Sequence, residues 1–129
     1  MKFEPFPVKK EWGYELWVAN NNRYCGKILH IHKDAASSMH FHVKKHETFC
    51  CISGKVKIEV ILPDATRKSF VLEPFESLEM EPGIMHRFIG LEESDLMEVS
   101  TTHDDNDSYR VTKSVGKFDK ETDLFKEGK

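Results

Sequence analysis

Two histidines, His40 and His42, lie two residues apart on a segment that reads as a β-strand, so both side chains leave the same face and can converge on one ion. Glu47 follows five residues later, at the start of the next predicted strand, where an antiparallel return would bring it opposite the pair. His86 lies far downstream, just after a Pro82-Gly83 turn. Three imidazoles and one carboxylate suit a single divalent transition metal: Mn, Fe, Co, Ni or Zn. Four protein ligands around a six-coordinate ion leave two positions for water or substrate, the arrangement a catalytic metal needs.

The elements that must position these residues are short strands separated by turns. Trp12–Val18 is rich in β-formers and ends at Asn20-Asn21-Asn22. Further strands are expected over Tyr24–Ile31, Met39–Val43 and Glu47–Ile52. Ser53-Gly54 then makes a tight turn into Lys55–Leu62, whose Lys-Val-Lys-Ile-Glu-Val run alternates between a wet and a buried face. Lys68–Leu72, Ser77–Met80, His86–Ile89 and Leu96–Thr101 complete the series. Strands about ten residues apart, with turn signals between them, indicate an all-β barrel or sandwich. No segment before residue 110 has a helical period, and the charged tail from about 114 to 129 is left unassigned between a short helix, a loose strand and a frayed end.

The chain has 129 residues, 39% of them hydrophobic, with nine Phe, two Trp and three Tyr. That is enough for the core of one domain spanning residues 1–129. No apolar run approaches the roughly 20 residues of a membrane span, and the start lacks the apolar stretch of a signal peptide. Three cysteines, two of them adjacent at Cys50 and Cys51, argue against a disulfide framework. These features predict a soluble, cytoplasmic protein. The net charge of −3 is uneven: eleven carboxylates and only one basic residue, Arg87, lie between Glu73 and Asp107. Such a surface repels phosphate backbones, so nucleic acid is not an expected partner.

The stretch His40-Phe41-His42-Val43-Lys44-Lys45-His46-Glu47, with Gly54 after six more residues, resembles the first cupin motif, H-x-H-x(3,4)-E-x(6)-G. Gly83-Ile84-Met85-His86 is similar to the end of the second, P-x-G-x-x-H. The resemblance covers about residues 8–110. It implies a double-stranded β-helix (jelly-roll) cupin barrel with His40, His42, Glu47 and His86 as metal ligands. Four departures stand out: Asp34 and Phe75 occupy the positions where the two motifs usually open with Gly, Glu81 replaces the usual Pro, and Gly90 stands at a position that is often Asn. Asp tolerates the left-handed backbone such a turn demands.

Among cupins, Trp12-Gly13-Tyr14-Glu15, the two motifs, Met85-His86-Arg87-Phe88 and Glu98-Val99-Ser100-Thr101 resemble the sugar-phosphate isomerases of the mannose-6-phosphate isomerase type. That likeness implies an aldose–ketose isomerase acting on a sugar or sugar phosphate. A metal with two open positions can chelate a hydroxyl and the neighbouring carbonyl, and a base can then shuttle the proton between carbons. Glu98 is the candidate base, against the alternative of a surface carboxylate. Lys27 is the candidate substrate-binding cation, if its side chain points inward. Lys44 and Lys45 read as surface lysines, His46 and Arg87 as pointing away from the site, His30 and His32 as structural, and His103 with Asp104, Asp105 and Asp107 as a polar turn. A non-haem iron dioxygenase and a non-enzymatic metal- or sugar-binding module are the alternative functions. The apolar N-terminal strand, with Trp12, Tyr14 and Trp17, offers a surface for a homodimer or a cover for its own barrel.

Overall fold

The computed structural model describes residues 1–119, and most of the charged tail assigned above to 114–129 lies outside them. Eleven strands are present: β1 (Phe6–Lys10), β2 (Gly13–Asn20), β3 (Cys25–Ile31), β4 (His40–Phe41), β5 (Glu47–Ser53), β6 (Val56–Ile61), β7 (Arg67–Leu72), β8 (Ser77–Met80), β9 (Met85–Gly90), β10 (Ser94–Ser100) and β11 (Tyr109–Arg110). They form two antiparallel sheets. One runs β1-β2-β3-β10-β5-β8 and the other β11-β4-β9-β6-β7. This is the two-sheet jelly roll of the cupin fold. No helix among the described residues is long and apolar enough to cross a membrane.

Alternation decides which face of each strand is buried. On β6, Val56, Ile58 and Val60 point inward, as the Lys-Val-Lys-Ile-Glu-Val pattern requires. On β3 the inward set is Cys25, Lys27, Leu29 and Ile31, on β5 Glu47, Phe49 and Cys51, and on β10 Ser94, Leu96 and Glu98. The strand register turns these sets into layers. Leu96 pairs with Leu29 on one side and Cys51 on the other, while Glu98, two residues on, pairs with Lys27 and Phe49. The interior is thus apolar at one end and charged at the other. Each fully buried Leu, Ile, Val or Phe in the apolar layers contributes about 1.5–3 kcal/mol of transfer free energy. Trp12 closes that core edge-to-face against Phe88, with ring centroids 4.9 Å apart.

The expected strands are present with shifted ends. The strand expected over Met39–Val43 shrinks to His40–Phe41, because residues 43–45 turn onto side-chain acceptors instead of a neighbouring strand. Strand β1 was not expected. Its sequence, Phe-Pro-Val-Lys-Lys, carries a proline that suits a sheet edge, which is where it lies. Gly54 makes the β5–β6 turn at φ +81°, where a Cβ would stand 2.3 Å from Ser94 Oγ, so that position accepts only glycine.

Both positions at which the cupin motifs usually open with Gly are left-handed here: Asp34 at φ +68° and Phe75 at φ +69°. Phe75 is 81% exposed, so its ring recovers little of the 1–2 kcal/mol that a left-handed conformation costs an L-residue. Replacing Phe75 by Gly should therefore raise stability by about 0.5–1 kcal/mol after allowing for glycine's greater chain entropy. The check is a higher urea midpoint at unchanged m-value. A lower midpoint would show that the ring contributes more than its exposure implies.

Candidate metal centre and cavity

The polar end of the sandwich opens into a cavity of about 400 Å³, enough for one small molecule. Its wall includes Trp12, Trp17, Lys27, His40, His42, Lys45, Glu47, Glu98 and His103. The β4–β9 pairing sets His40 directly opposite His86, and the two-residue spacing sets His42 beside them. One ring nitrogen from each of His40, His42 and His86 lies within 4.8 Å of the others. Glu47 Oε2 completes the cluster, 3.2 Å from His86 Nε2 and 3.6 Å from His42 Nε2.

Hydrogen bonds on the far side of each ring determine what these nitrogens can do. His40 Nδ1 donates to the Ser38 carbonyl (2.8 Å), His42 Nδ1 to the Asp107 carbonyl (2.7 Å) and His86 Nδ1 to the Ile84 carbonyl (2.9 Å). A carbonyl oxygen can only accept, so each neutral ring keeps its proton on Nδ1 and turns the Nε2 lone pair inward. His86 Nε2 is buried, has no aligned hydrogen-bond partner, and faces a carboxylate oxygen. A lone pair against a carboxylate is repulsive unless a cation lies between them. Three imidazole nitrogens and one carboxylate oxygen, oriented in this way, fit a divalent transition metal.

The surrounding fields favour neutral rings at His40 and His42 and a charged Glu47 carboxylate. Burial, then the neighbouring His86, lowers the His40 pKa to about 3, and burial lowers His42 as well. Burial alone would raise Glu47, but the His86 ring, Lys45 and His42 together hold it at about 2.

Further charged groups line the cavity beside this cluster, among them Lys10, Asp105 and Arg110. Glu98 faces inward and is 5% exposed, and Lys27 is 2% exposed. Lys45 departs from the expectation of a surface lysine. It is buried, with Nζ 2.5 Å from Glu98 Oε2 and 3.7 Å from Glu47 Oε1. Burial would lower its pKa, but Glu98 and Glu47 outweigh that and raise it, so it stays protonated. Lys27 Nζ is 3.6 Å from Glu15 Oε1 and sits over the Trp17 ring at 4.1 Å. Trp17 Nε1 donates to the same Glu15 oxygen at 2.8 Å.

His103 and its acidic neighbours are more than a polar turn. Lys45 Nζ donates to His103 Nδ1 (3.0 Å), and His103 Nε2 donates to Asp105 Oδ1 (2.7 Å), which fixes a neutral ring on the cavity wall. Burial, with the charges of Lys27 and Lys45, lowers the His103 pKa. Asp107 supports the cluster from behind the cavity wall. Its carboxylate accepts from the backbone N–H of Val43 (2.8 Å), Lys44 (3.1 Å) and Lys45 (3.0 Å), and its carbonyl orients His42. The Asp-rich run was visible in the sequence, but nothing local ties it to a loop more than sixty residues earlier.

The remaining residues lie as expected. His46 is exposed and pairs with Glu79 at 2.7 Å. Arg87 points away from the cavity and pairs with Glu59 at 3.1 Å. Cys51 is buried and Cys50 half-buried.

The family model for D-lyxose isomerase matches residues 63–124, a stretch just under half of the chain that includes His86 and Glu98. No curated protein matches the sequence. Among solved structures, oxalate decarboxylase from Bacillus subtilis superposes with a TM-score of 0.74 at 14% identity, covering 83% of this chain and 30% of that one. KdgF from Halomonas sp. gives 0.64 at 16% identity, over 72% of this chain and 82% of that one. CapF, solved with the inhibitor 3-isopropenyl-tropolone, gives 0.71 at 18%, over 86% and 35%. The chain thus spans about a third of the first of these structures, and at such identities the likeness concerns the fold alone.

Two outcomes are expected from this geometry. Asp107→Ala should weaken metal affinity by about tenfold, because the carboxylate that anchors residues 43–45 is lost and the Asp107 carbonyl that orients His42, kept in the variant, is no longer held in place. Competition with a chelator measures this, and unchanged affinity would remove Asp107 from the site. In metal-free protein, stability should fall as pH drops below 6.5, where the unfolded chain's imidazoles take up protons that buried His40 refuses until about pH 3. Thermal melts between pH 7 and pH 4 should follow that slope, and a flat profile would contradict the buried neutral ring.

Proposed function

We propose that this cupin is a metal-dependent aldose–ketose isomerase acting on a small sugar. The carrying observation is the buried Glu98–Lys45 pair beside the three-histidine, one-glutamate cluster. His40, His42, His86 and Glu47 would hold one divalent metal, among Mn, Fe, Co, Ni and Zn. When bound there, such a metal polarises a carbonyl oxygen and acidifies the adjacent C–H.

The chain's own residues supply the rest. In the aldose-to-ketose direction, the Glu98 carboxylate accepts the proton from C2 and returns it to C1, while the hydroxyl proton passes from O2 to O1. Lys45, held protonated by Glu98 and Glu47, fixes the position of the Glu98 carboxylate and offers its one remaining N–H to a substrate oxygen. Lys27, fixed between Glu15 and Trp17, presents its ammonium from the neighbouring strand β3. Trp12 lines the cavity with apolar ring surface of the kind that packs on sugar C–H groups.

Both lysines buried in the cavity already have carboxylate partners, which suits a neutral sugar there; a sugar phosphate would have to be met by Lys10 and Arg110, which also line the cavity. The partial match to the D-lyxose isomerase family supports the same reading and makes D-lyxose the first substrate to try.

The test is a reconstituted assay with Mn, Co, Ni and Zn on free aldoses, ketoses and their phosphates, run in D₂O to detect exchange at C1 and C2. Glu98→Gln should lower kcat by about 10²–10⁴-fold while keeping the metal, as expected for loss of a general base. If no metal supports interconversion and the iron-loaded protein consumes oxygen instead, the dioxygenase reading replaces this one. Bound metal with neither turnover nor exchange would leave a binding module.

A further inference from the structure

On the outer face of the six-stranded sheet, opposite the cavity, lies a second convergence of imidazole and carboxylate groups. His30, on β3, and His32, just beyond its end, share a side of the chain. The pairing of Asp95 with His30 and of Ser94 with Ile31 brings Asp95 and Glu93 alongside. His30 has a carboxylate on each ring nitrogen: Nδ1 is 2.8 Å from Asp95 Oδ1 and Nε2 is 2.8 Å from Glu93 Oε2. His32 Nδ1 reaches the same Glu93 oxygen at 2.7 Å. The other Glu93 oxygen accepts the Lys33 backbone N–H at 3.0 Å, and the His30 ring stacks on Tyr14 from β2, with centroids 5.0 Å apart.

A neutral imidazole carries one proton. With carboxylates at both nitrogens, a neutral His30 must turn a lone pair toward one of them, so the arrangement is complete only with an additional cation. That cation is either a second ring proton or a metal ion; burial lowers the His30 pKa, but Asp95 and Glu93 outweigh it and raise it, so the two compete. With both rings neutral the four side chains would carry a charge of −2, and His30, His32 and Glu93 offer two nitrogens and one oxygen within 4.8 Å of one another. We propose that His30, His32 and Glu93 form a second, surface site for a divalent transition metal, with Asp95 orienting His30 through Nδ1. Two imidazoles and a carboxylate make a zinc-type donor set, with water filling the remaining positions. The carboxylate–histidine contact from Asp95 is the outer-sphere partner such ligands commonly have.

The site is built on fixed backbone. Strand β3 is paired on both sides, by β2 and β10, so His30 does not depend on a mobile loop. Glu93 is half-exposed and can move to admit an ion of different size. The ionisable groups facing His30 are Asp95 and Glu93 from the β10 side, His32 from its own chain segment and Tyr14 from β2. Acidification therefore releases the ion, because protons compete for ligand nitrogens.

Zinc binding to the full chain at pH 7.5, followed by calorimetry and by elemental analysis after desalting, tests the proposal. Wild type should take two equivalents. His32→Gln and Glu93→Gln should each keep the cavity equivalent and weaken the other at least tenfold. The His40→Ala/His42→Ala double variant should retain the surface equivalent, with zinc-dependent shifts of the His30 and His32 ring resonances. A single wild-type equivalent that is lost in the His40→Ala/His42→Ala variant, or a second that persists within twofold affinity in both His32→Gln and Glu93→Gln, would overturn it.

Discussion

The orientation of three imidazoles governs the cavity, because each Nδ1–H is committed to a backbone carbonyl (Ser38, Asp107 or Ile84) and each Nε2 then faces inward. Two of those carbonyls belong to the residue two positions before the histidine, so His40 and His86 are oriented by their own chain segments. His42 is different. Its partner lies at Asp107, in a short 3-10 turn (Asp105–Asp107) past the end of the last long strand. The same residue gathers three backbone N–H groups of the loop leading to Lys45 and Glu47. The orientation of one ring and the path of the loop after it thus share one anchor.

Around that cluster, the energetics of buried charge dictate the pattern. Glu47, Glu98, Lys27 and Lys45 are each almost wholly removed from water, and an unpaired charge in such a place would cost several kcal/mol. Each is therefore held against an opposite charge: Lys45 between Glu98 and Glu47, Lys27 against Glu15. Pairing of this kind is weak as a source of stability but strong as a positioning device. Deleting one partner strands the other, and an apolar layer at the far end of the sandwich supplies the cohesion that the charged layer lacks.

Much of this was legible in the sequence where the relevant information is local. Period-two alternation identifies the inward face of β6, and the His-x-His spacing with Glu47 and a distant His86 identifies the four clustered side chains. Strand parity also separates Cys51 from Cys50 and His86 from Arg87. The facing of Glu98 was open because no neighbouring residue anchors β10, and only its register with Lys27 and Phe49 resolves it. Lys45 and Asp107 were misread for the same reason. A lysine in a turn and an aspartate in an acidic run look solvated until tertiary contacts bring them under cover. Phe75 shows the converse, since a family pattern marks its left-handed backbone while its own chemistry argues against it.

The segment after β10 folds back along the chain that carries the histidines. Val111 N–H donates to the Met39 carbonyl, Thr112 Oγ1 accepts the Met39 N–H, Ser114 Oγ accepts the Ser38 N–H, and Val115 bridges Ala36. It behaves as a clasp drawn across the mouth of an otherwise finished barrel. The smallest piece of this protein able to keep its cavity therefore reaches well past the last long strand. A protease cut between Ser100 and Asp107 would spare the pairing of strands β1 to β10 while unfastening the wall that holds His42, so loss of ligand binding and loss of folded structure would be separable events.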